Sequence, residues 1–401
     1  MTLRTSSVSA DICIVGNGAI AKTAALGFSQ AGFSVTLLSP GVEAPQPPTG
    51  AQPWDARVYA LNHTAYALLG RLKVWGALDM ARVAPVESMA VNGDGQSPGD
   101  LAFDAFGAHV SSLAWIVEDR NLNQALDAAL KFAPKIQQIQ GRAVSLQAGT
   151  ERAHLALDDG RQLDASLLVG ADGAQSWVRG QCDIGYDYRS YHQKGVVANF
   201  CCAKPHQGVA HQWFTGDQGI VALLPLPGER VSLVWSAPDA LADELMRESQ
   251  GELAIRLARW AEPVLGELKP LQPEQIRAFP LSLVRPHTVV APRVALIGDA
   301  AHVVHPLAGH GMNLGFADID ALLKTLVERE DQRDIGDARV LARYGRARKE
   351  DVLLMQLATD GLERLFATDL EPVRVIRNLG LNLLDKFPVL KRRLMAQALG
   401  K

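Results

Sequence analysis

Apolar positions along this chain follow two rhythms. Asp11 to Val15 (D-I-C-I-V) is a short apolar run closed by G-N-G-A-I-A and continued by a helical stretch, K-T-A-A-L-G-F-S-Q-A-G, after which Phe33 to Leu38 forms a second run. Strand, glycine turn, helix and strand in this order make a βαβ unit, whose glycines let the backbone approach a pyrophosphate at a helix N-terminus. Gly16 permits the tight turn, Gly18 the close approach, and Ala21 the tight helix–strand packing of the third position, so that Gly16, Gly18 and Ala19 are candidate nucleotide contacts. Further on, the apolar positions Ala60, Leu61, Ala65, Leu68 and Leu69 fit a helix, and Trp115 to Leu130 passes from strand to helix. Ser88 to Phe106 reads as β-hairpins and loops, and Asp-Asp-Gly within Leu155 to Leu168 is a hairpin signal.

From Cys182 to about Arg285 the rhythm shortens. Val196–Phe200, His211–Phe214, Ile220–Leu224 and Arg230–Trp235 read as strands separated by Gly, Pro and Asp turns, which predicts a mainly antiparallel sheet in a separate layer. Helical spacing follows over Asp239 to Val264. Then comes the densest stretch of the chain, Arg293 to Asp320: a buried-strand run (Val294 to Ile297), Gly298-Asp299, the rigid bend His305-Pro306, and Gly309-x-Gly311 ahead of a helical pattern through Leu323. Asp299 is a carboxylate just past a strand's carboxyl end, where ligands sit in open α/β sheets. Glycines opening a helix leave backbone N–H groups free for an electron-rich ligand. Asp337 to Phe366 is another long helical pattern. Val373 to Lys401 alternates apolar residues with Arg374, Arg377, Lys386, Lys391, Arg392 and Arg393, a basic amphipathic pattern that suits a membrane surface, an acidic partner or a packed helix with a solvated face.

Composition narrows the class. Across 401 residues, 48% apolar and 21% charged side chains are those of a globular protein long enough for two domains. A net charge of −3 provides no global field for nucleic acid. The four cysteines, Cys13, Cys182, Cys201 and Cys202, lack metal or disulfide spacing and fit a reducing cytosol. His302, His305 and His310 are too irregularly spaced for a zinc site, so no metal is expected. The N-terminus has no signal-peptide core and no run reaches the length of a membrane span.

The stretch H-P-L-A-G-H-G-M-N-L-G-x-x-D resembles the second flavin-binding motif of the FAD-dependent aromatic hydroxylases, in the wording of the UbiH/UbiF/VisC branch that hydroxylates ubiquinone precursors. Two further motifs stand in family order: Gly16-x-Gly18, and Gly170-Ala171-Asp172-Gly173 with Ser176 and Arg179. The resemblance implies an α/β fold with three parts. A Rossmann-like FAD-binding domain would comprise 1–75, 105–181 and 282–335. A smaller, mainly antiparallel β-sheet substrate domain would comprise 76–104 and 182–281, and a C-terminal helical region 336–401.

It also implies site residues. Arg57, in D-x-R-x-x-A-L, would lie near the FAD diphosphate, where a bidentate guanidinium suits phosphate. Arg120 would reach the cofactor from a segment resembling E-N-R-x-L-x-x-A-L, with Asp119 where asparagine is usual. Without the resemblance, both arginines read equally well as salt-bridge residues. Asp172 would border the ribityl chain and the reductant's approach, and Asp299 the ribityl chain. Backbone N–H groups around Gly309, Gly311 and Met312 would stabilise charge at the flavin's pyrimidine end, and Asn313 would also bind the cofactor. Pro306, Leu223 and Pro225 would face the flavin and substrate ring, the last two from a strand G-I-V-A-L-L-P-L-P that roofs the flavin. Two positions depart from the family: Ser39 replaces the acid that binds the ribose, with Glu43 the nearest carboxylate, and His310 stands where glutamine is usual.

The activity implied is an FAD monooxygenase that uses NAD(P)H or another electron donor and O₂. A flavin C4a-hydroperoxide would pass hydroxyl to the ring of an aromatic, prenylated small molecule. The expected place is the cytoplasm, peripheral at the inner membrane or within a biosynthetic complex. Two other readings stay open: a flavin oxidoreductase of the same fold without oxygen insertion, and a non-catalytic member of a quinone-biosynthesis complex.

Overall fold

The computed structural model describes residues 7–40, 52–94, 99–271, 276–305 and 309–367. Glu43, Pro306 and the basic stretch Val373 to Lys401 lie outside them.

The longer apolar rhythm builds an eight-stranded sheet. Its parallel centre is β1 (Ser7–Val15) between β2 (Val35–Ser39) and β11 (Gln162–Gly170), with β8 (Ile136–Gln140) beyond β2 and β19 (Val294–Leu296) beyond β11. The antiparallel strands β9 (Ala143–Ala148), β10 (Ala153–Leu157) and β18 (Val290–Ala291) extend it. Ile12, Ile14, Leu167, Val169 and Ala295 face one core with Phe28 and Phe316, whereas Cys13, Leu168 and Leu296 face another. Both faces are covered, which is why these strands read as continuous apolar runs. The first face carries α1 (Ala19–Gln30), α3 (Asp119–Lys131) and α7 (His310–Val327), and α8 (Ala338–Ala367) packs on α7.

The period-2 region forms the second large sheet, again of eight strands. Here β13 (Val209–Phe214), β14 (Ile220–Leu226), β15 (Arg230–Pro238) and β12 (Tyr186–Cys202) run antiparallel in turn. β5 (Ser88–Asn92) and β6 (Asp100–Asp104) extend it beyond β13, and β16 (Leu268–Pro270) and β17 (Arg277–Pro286) pair with β12. Val221, Leu223, Val231, Leu233 and Trp235 point to one side, into a core shared with α5 (Asp239–Leu245) and α6 (Gln250–Leu265). The helical spacing over Asp239 to Val264 thus resolves into two helices. The break falls where Ser249 and Glu252 form a reciprocal capping box that starts α6.

A third sheet of β3 (Val58–Leu61), β7 (Ala114–Glu118) and β4 (Val83–Val86) contacts β14. Ala60 and Leu61, read as helical from spacing, belong to β3. Pairing with β7 claims them, and the Asn62 side chain, accepting from the Ala65 N–H, starts α2 (His63–Arg71) only afterwards. The short α4 (Trp177–Gln181) follows β11. Among the described residues no helix is long and apolar enough to cross a membrane.

Candidate functional site

The carboxyl ends of β1, β2, β11 and β19 share one edge of the first sheet, so parallel register alone brings the three glycine motifs together. Gly16 donates to the Leu38 carbonyl, and Ala171 donates to that of Val15, at 2.9 Å each. At Gly16, φ is +143° and a Cβ would stand 2.2 Å from the Ala171 carbonyl oxygen, so the crossing of the two loops admits no side chain. Gly18 begins α1 without a side-chain cap, and a Cβ there would meet nothing within 4 Å. The open N-terminus of α1 therefore presents unpaired N–H groups with room for an anionic group. Ser39 ends β2 at the same edge, its carbonyl accepting from Gly141 at 3.0 Å.

The third motif is built around a buried carboxylate. Asp318 of α7 accepts from the Gly298 N–H at 2.8 Å, from His302 Nε2 at 2.7 Å and from Arg348 Nε of α8 at 2.7 Å. Burial opposes its ionisation, but His302 and Arg348 outweigh that and hold the carboxyl below the usual range. This knot fixes the left-handed Gly298 (φ +60°) and so aims the next residue, Asp299, into a cavity. Asp299 is open to that cavity yet enclosed by protein on its other sides. Burial raises its carboxyl pKa, with His302 and Arg57 pulling the other way.

The cavity has a volume of about 1300 Å³. On one wall it unites Arg57, Asp299, Gly309, Gly311, Met312 and Asn313; the opposite wall is the second sheet. Gly309, at φ +69°, starts α7 without a side-chain cap, so a second helix N-terminus opens into the site. Asn313 ties that terminus to β3: its Nδ2 donates to the Ala60 carbonyl at 2.8 Å and its Oδ1 accepts from the Asn62 N–H at 2.9 Å.

Several expected residues stand elsewhere. Leu223 is buried in the core behind the second sheet, and Pro225 shares its face of β14; Ala222 and Leu224 face the cavity instead. Alternation along a strand decides this, since adjacent side chains point to opposite faces. The Asp172 carboxylate accepts from Ser176 Oγ at 2.6 Å and from the Val178 N–H at 3.0 Å, so it organises the start of α4 rather than the cavity. Arg120 donates from its guanidinium to the Pro53 carbonyl and lies outside the cavity lining. Ala19 is buried against the first core, leaving only its backbone toward the glycine turn.

Other residues of the site were not singled out from sequence. Asp55 accepts from the Arg57 and Arg120 backbone N–H groups at 3.1 and 3.2 Å, bracing the loop that carries Arg57. Glu118 is almost fully buried; it accepts from the Asp55 N–H at 2.5 Å and pairs with both Arg82 Nε and Nη2. Tyr59 lines the cavity beneath the Arg57 guanidinium and donates to Asp119 at 2.6 Å, and burial raises its phenol pKa. The visible signal was the spacing Asp55-x-Arg57-x-Tyr59, which shows the cluster but not its wiring.

The uncapped, glycine-opened α7 N-terminus, an arginine and a carboxylate line the cavity, and the uncapped α1 N-terminus opens at the same edge of the first sheet; together they fit FAD, with an anion site for its phosphates and a polar wall for its flavin. Among the described residues no group of His, Cys, Asp or Glu could hold a metal ion. The FAD binding domain family matches residues 118–355. The chain is 35% identical to the 3-demethoxyubiquinol 3-hydroxylase of Escherichia coli, over 97% of this chain and 98% of that one. It is 33% identical to the ubiquinone hydroxylase UbiL of Rhodospirillum rubrum, over 98% and 90%. The crystal structure of p-nitrophenol 4-monooxygenase PnpA from Pseudomonas putida superposes with a TM-score of 0.77 over 98% of both chains at 16% identity, a likeness of fold. The chain belongs to the FAD-dependent hydroxylases of the ubiquinone-biosynthesis family and is an FAD-dependent monooxygenase.

Proposed function

We propose that the protein hydroxylates the aromatic ring of a ubiquinone precursor, a polyprenylphenol, with O₂ as oxygen source and NAD(P)H as electron donor. The observation that carries this reading is the single cavity in which the Asp299 and Gly309–Asn313 wall faces an apolar sheet. Bound FAD, once reduced, supplies the activation of O₂. The chain's own residues do the rest. The α7 N-terminus at Gly309 offers N–H groups and a positive dipole end to negative charge at the adjoining wall. Asp299 and Arg57 give the cofactor polar partners. The apolar sheet holds a ring against that wall and keeps water out, so that activated oxygen reaches carbon rather than leaving as peroxide.

A polyprenyl chain resides in a bilayer, so the proposal includes a peripheral encounter with a membrane surface, for which Val373 to Lys401 is the candidate segment. The test is turnover by FAD-reconstituted protein given NADPH and a 2-prenylphenol with one isoprene unit. The proposal expects phenol-stimulated NADPH oxidation and a product one oxygen heavier. NADPH oxidation that ignores the phenol and yields only H₂O₂ or reduced flavin would instead favour an oxidoreductase that inserts no oxygen.

A further inference from the structure

The cavity-facing side chains on β13 and β14 are Ala210, Gln212, Phe214, Ile220, Ala222 and Leu224. One of these is polar. Gln212 is 5% exposed, and its amide makes no hydrogen bond to any described residue. A buried primary amide gives up its water partners and normally regains them from protein. Gln250 and Ser232 carry fully buried polar atoms without partners and lie outside the cavity lining, whereas the Gln212 amide is open to the cavity.

Its neighbours define what the amide can reach. Across the sheet Gln212 pairs with Ala222 on β14 and Val91 on β5, and Ala222 pairs with Val234 on β15. Ala222 is the small step in this row, leaving room beside the amide for a flat ring lying on the sheet. The rest of the row is aliphatic. On this face of the sheet an oxygen-bearing substituent of such a ring would find its polar side-chain partner at Gln212, with Ser236 on β15, opposite Ile220, in the adjoining row.

We propose that Gln212 is a specificity-determining residue that recognises the phenolic hydroxyl of the substrate. Its Oε1 accepts from that hydroxyl, which fixes the ring's orientation on the sheet. The inference rests on the aromatic-hydroxylase reading of the cavity. It adds the residue that selects the ring's polar edge.

The experiment uses FAD-reconstituted full chain, a 2-prenylphenol with one isoprene unit, and its O-methyl ether, which cannot donate. Binding is read from the perturbation of flavin absorbance, and stability from thermal melting without substrate. Wild type should prefer the phenol by about three- to tenfold, the range of one neutral hydrogen bond. Gln212→Met should keep its FAD and melt at the same temperature or higher, because no protein partner is lost. It should bind the phenol about three- to tenfold more weakly and the ether unchanged. Gln212→Asn, with the amide withdrawn by one methylene, should lose the same preference. A methionine variant that melts lower while retaining the phenol preference would show a structural glutamine and overturn the inference. If the methionine variant does not fold, phenol preference retained by the asparagine variant overturns it equally. Wild type that binds neither compound would fail the aromatic reading itself, an outcome distinct from loss of the Gln212 effect.

Discussion

Arg57 and Asp299 meet in one cavity although they are far apart in sequence, and each is held there by a carboxylate behind it: Asp55 for the arginine loop, Asp318 for the aspartate turn. Asp299→Ala should leave the fold intact and remove one or two hydrogen bonds to FAD. Bonds of this charged kind are worth about 1.5–3 kcal/mol, so FAD affinity, read by fluorescence titration, should fall roughly ten- to a hundred-fold. Unchanged affinity in a folded variant would place the cofactor's partner elsewhere. Ser39 ends β2, where an acid binds the ribose in dinucleotide-binding βαβ units, and Ser39→Glu should tighten FAD by about 1 kcal/mol. Weaker binding would mean that another group already occupies the ribose. The sequence made Asp299, Gly309, Gly311, Met312 and Asn313 legible because they are contiguous with glycines whose chemistry is local. Leu223 and Pro225 were misplaced by one step, since a match to a strand locates the strand but not which alternate residues face inward. Gln212 left no signal: a polar residue inside a strand looks the same whether it meets solvent or a cavity.

The elements around the site are joined through the Asp318 knot, which links the β19 turn, α7 and α8 in one buried set of hydrogen bonds. Asp318→Ala would leave Arg348, whose side chain is 5% exposed, without its buried counter-charge. Removing one partner of a buried pair costs about 3–5 kcal/mol, to be read from the denaturant midpoint. A loss under about 1 kcal/mol would show that α8 does not depend on this pair. The sequence displayed α7 and α8 by periodicity, and G-x-x-D placed Asp318 within the motif. Its partner Arg348, thirty positions on, is a tertiary fact that no local spacing carries. Likewise the strand–helix boundary at Asn62 was hidden, because Ala60 and Leu61 fit either period and only pairing with β7 decides between them.

Taken together, the parallel sheet supplies the cofactor edge and the antiparallel sheet the apolar lid, and two buried histidines contribute to the pH response of the fold. Burial lowers the pKa of His211 to about 4, helped by His206, and that of His305 to about 4, helped by Arg189. Both stay neutral in the fold and take up a proton on unfolding. Stability is therefore full above about pH 6.5 and falls as pH drops through about 4, by about 2 kcal/mol for each residue between pH 7 and pH 5. The raised Asp299 acts in the opposite sense, so His211→Asn and His305→Asn are needed to isolate the effect: each should flatten the pH 7-to-5 slope of unfolding free energy. At the membrane, the full chain should sediment with anionic liposomes at low salt and be released as salt rises. Reversing Lys391, Arg392 and Arg393 to glutamate should abolish this without changing FAD content, whereas equal binding would assign substrate delivery to a partner. In the proposed reaction this cavity puts one atom of O₂ onto an aromatic ring. It is tested most directly by turnover of a 2-prenylphenol under ¹⁸O₂ in ordinary water. Each hydroxylated product should carry one ¹⁸O atom, and none when the label is in the water. A product without ¹⁸O, or reduction of the flavin with no oxygenated product, would contradict it.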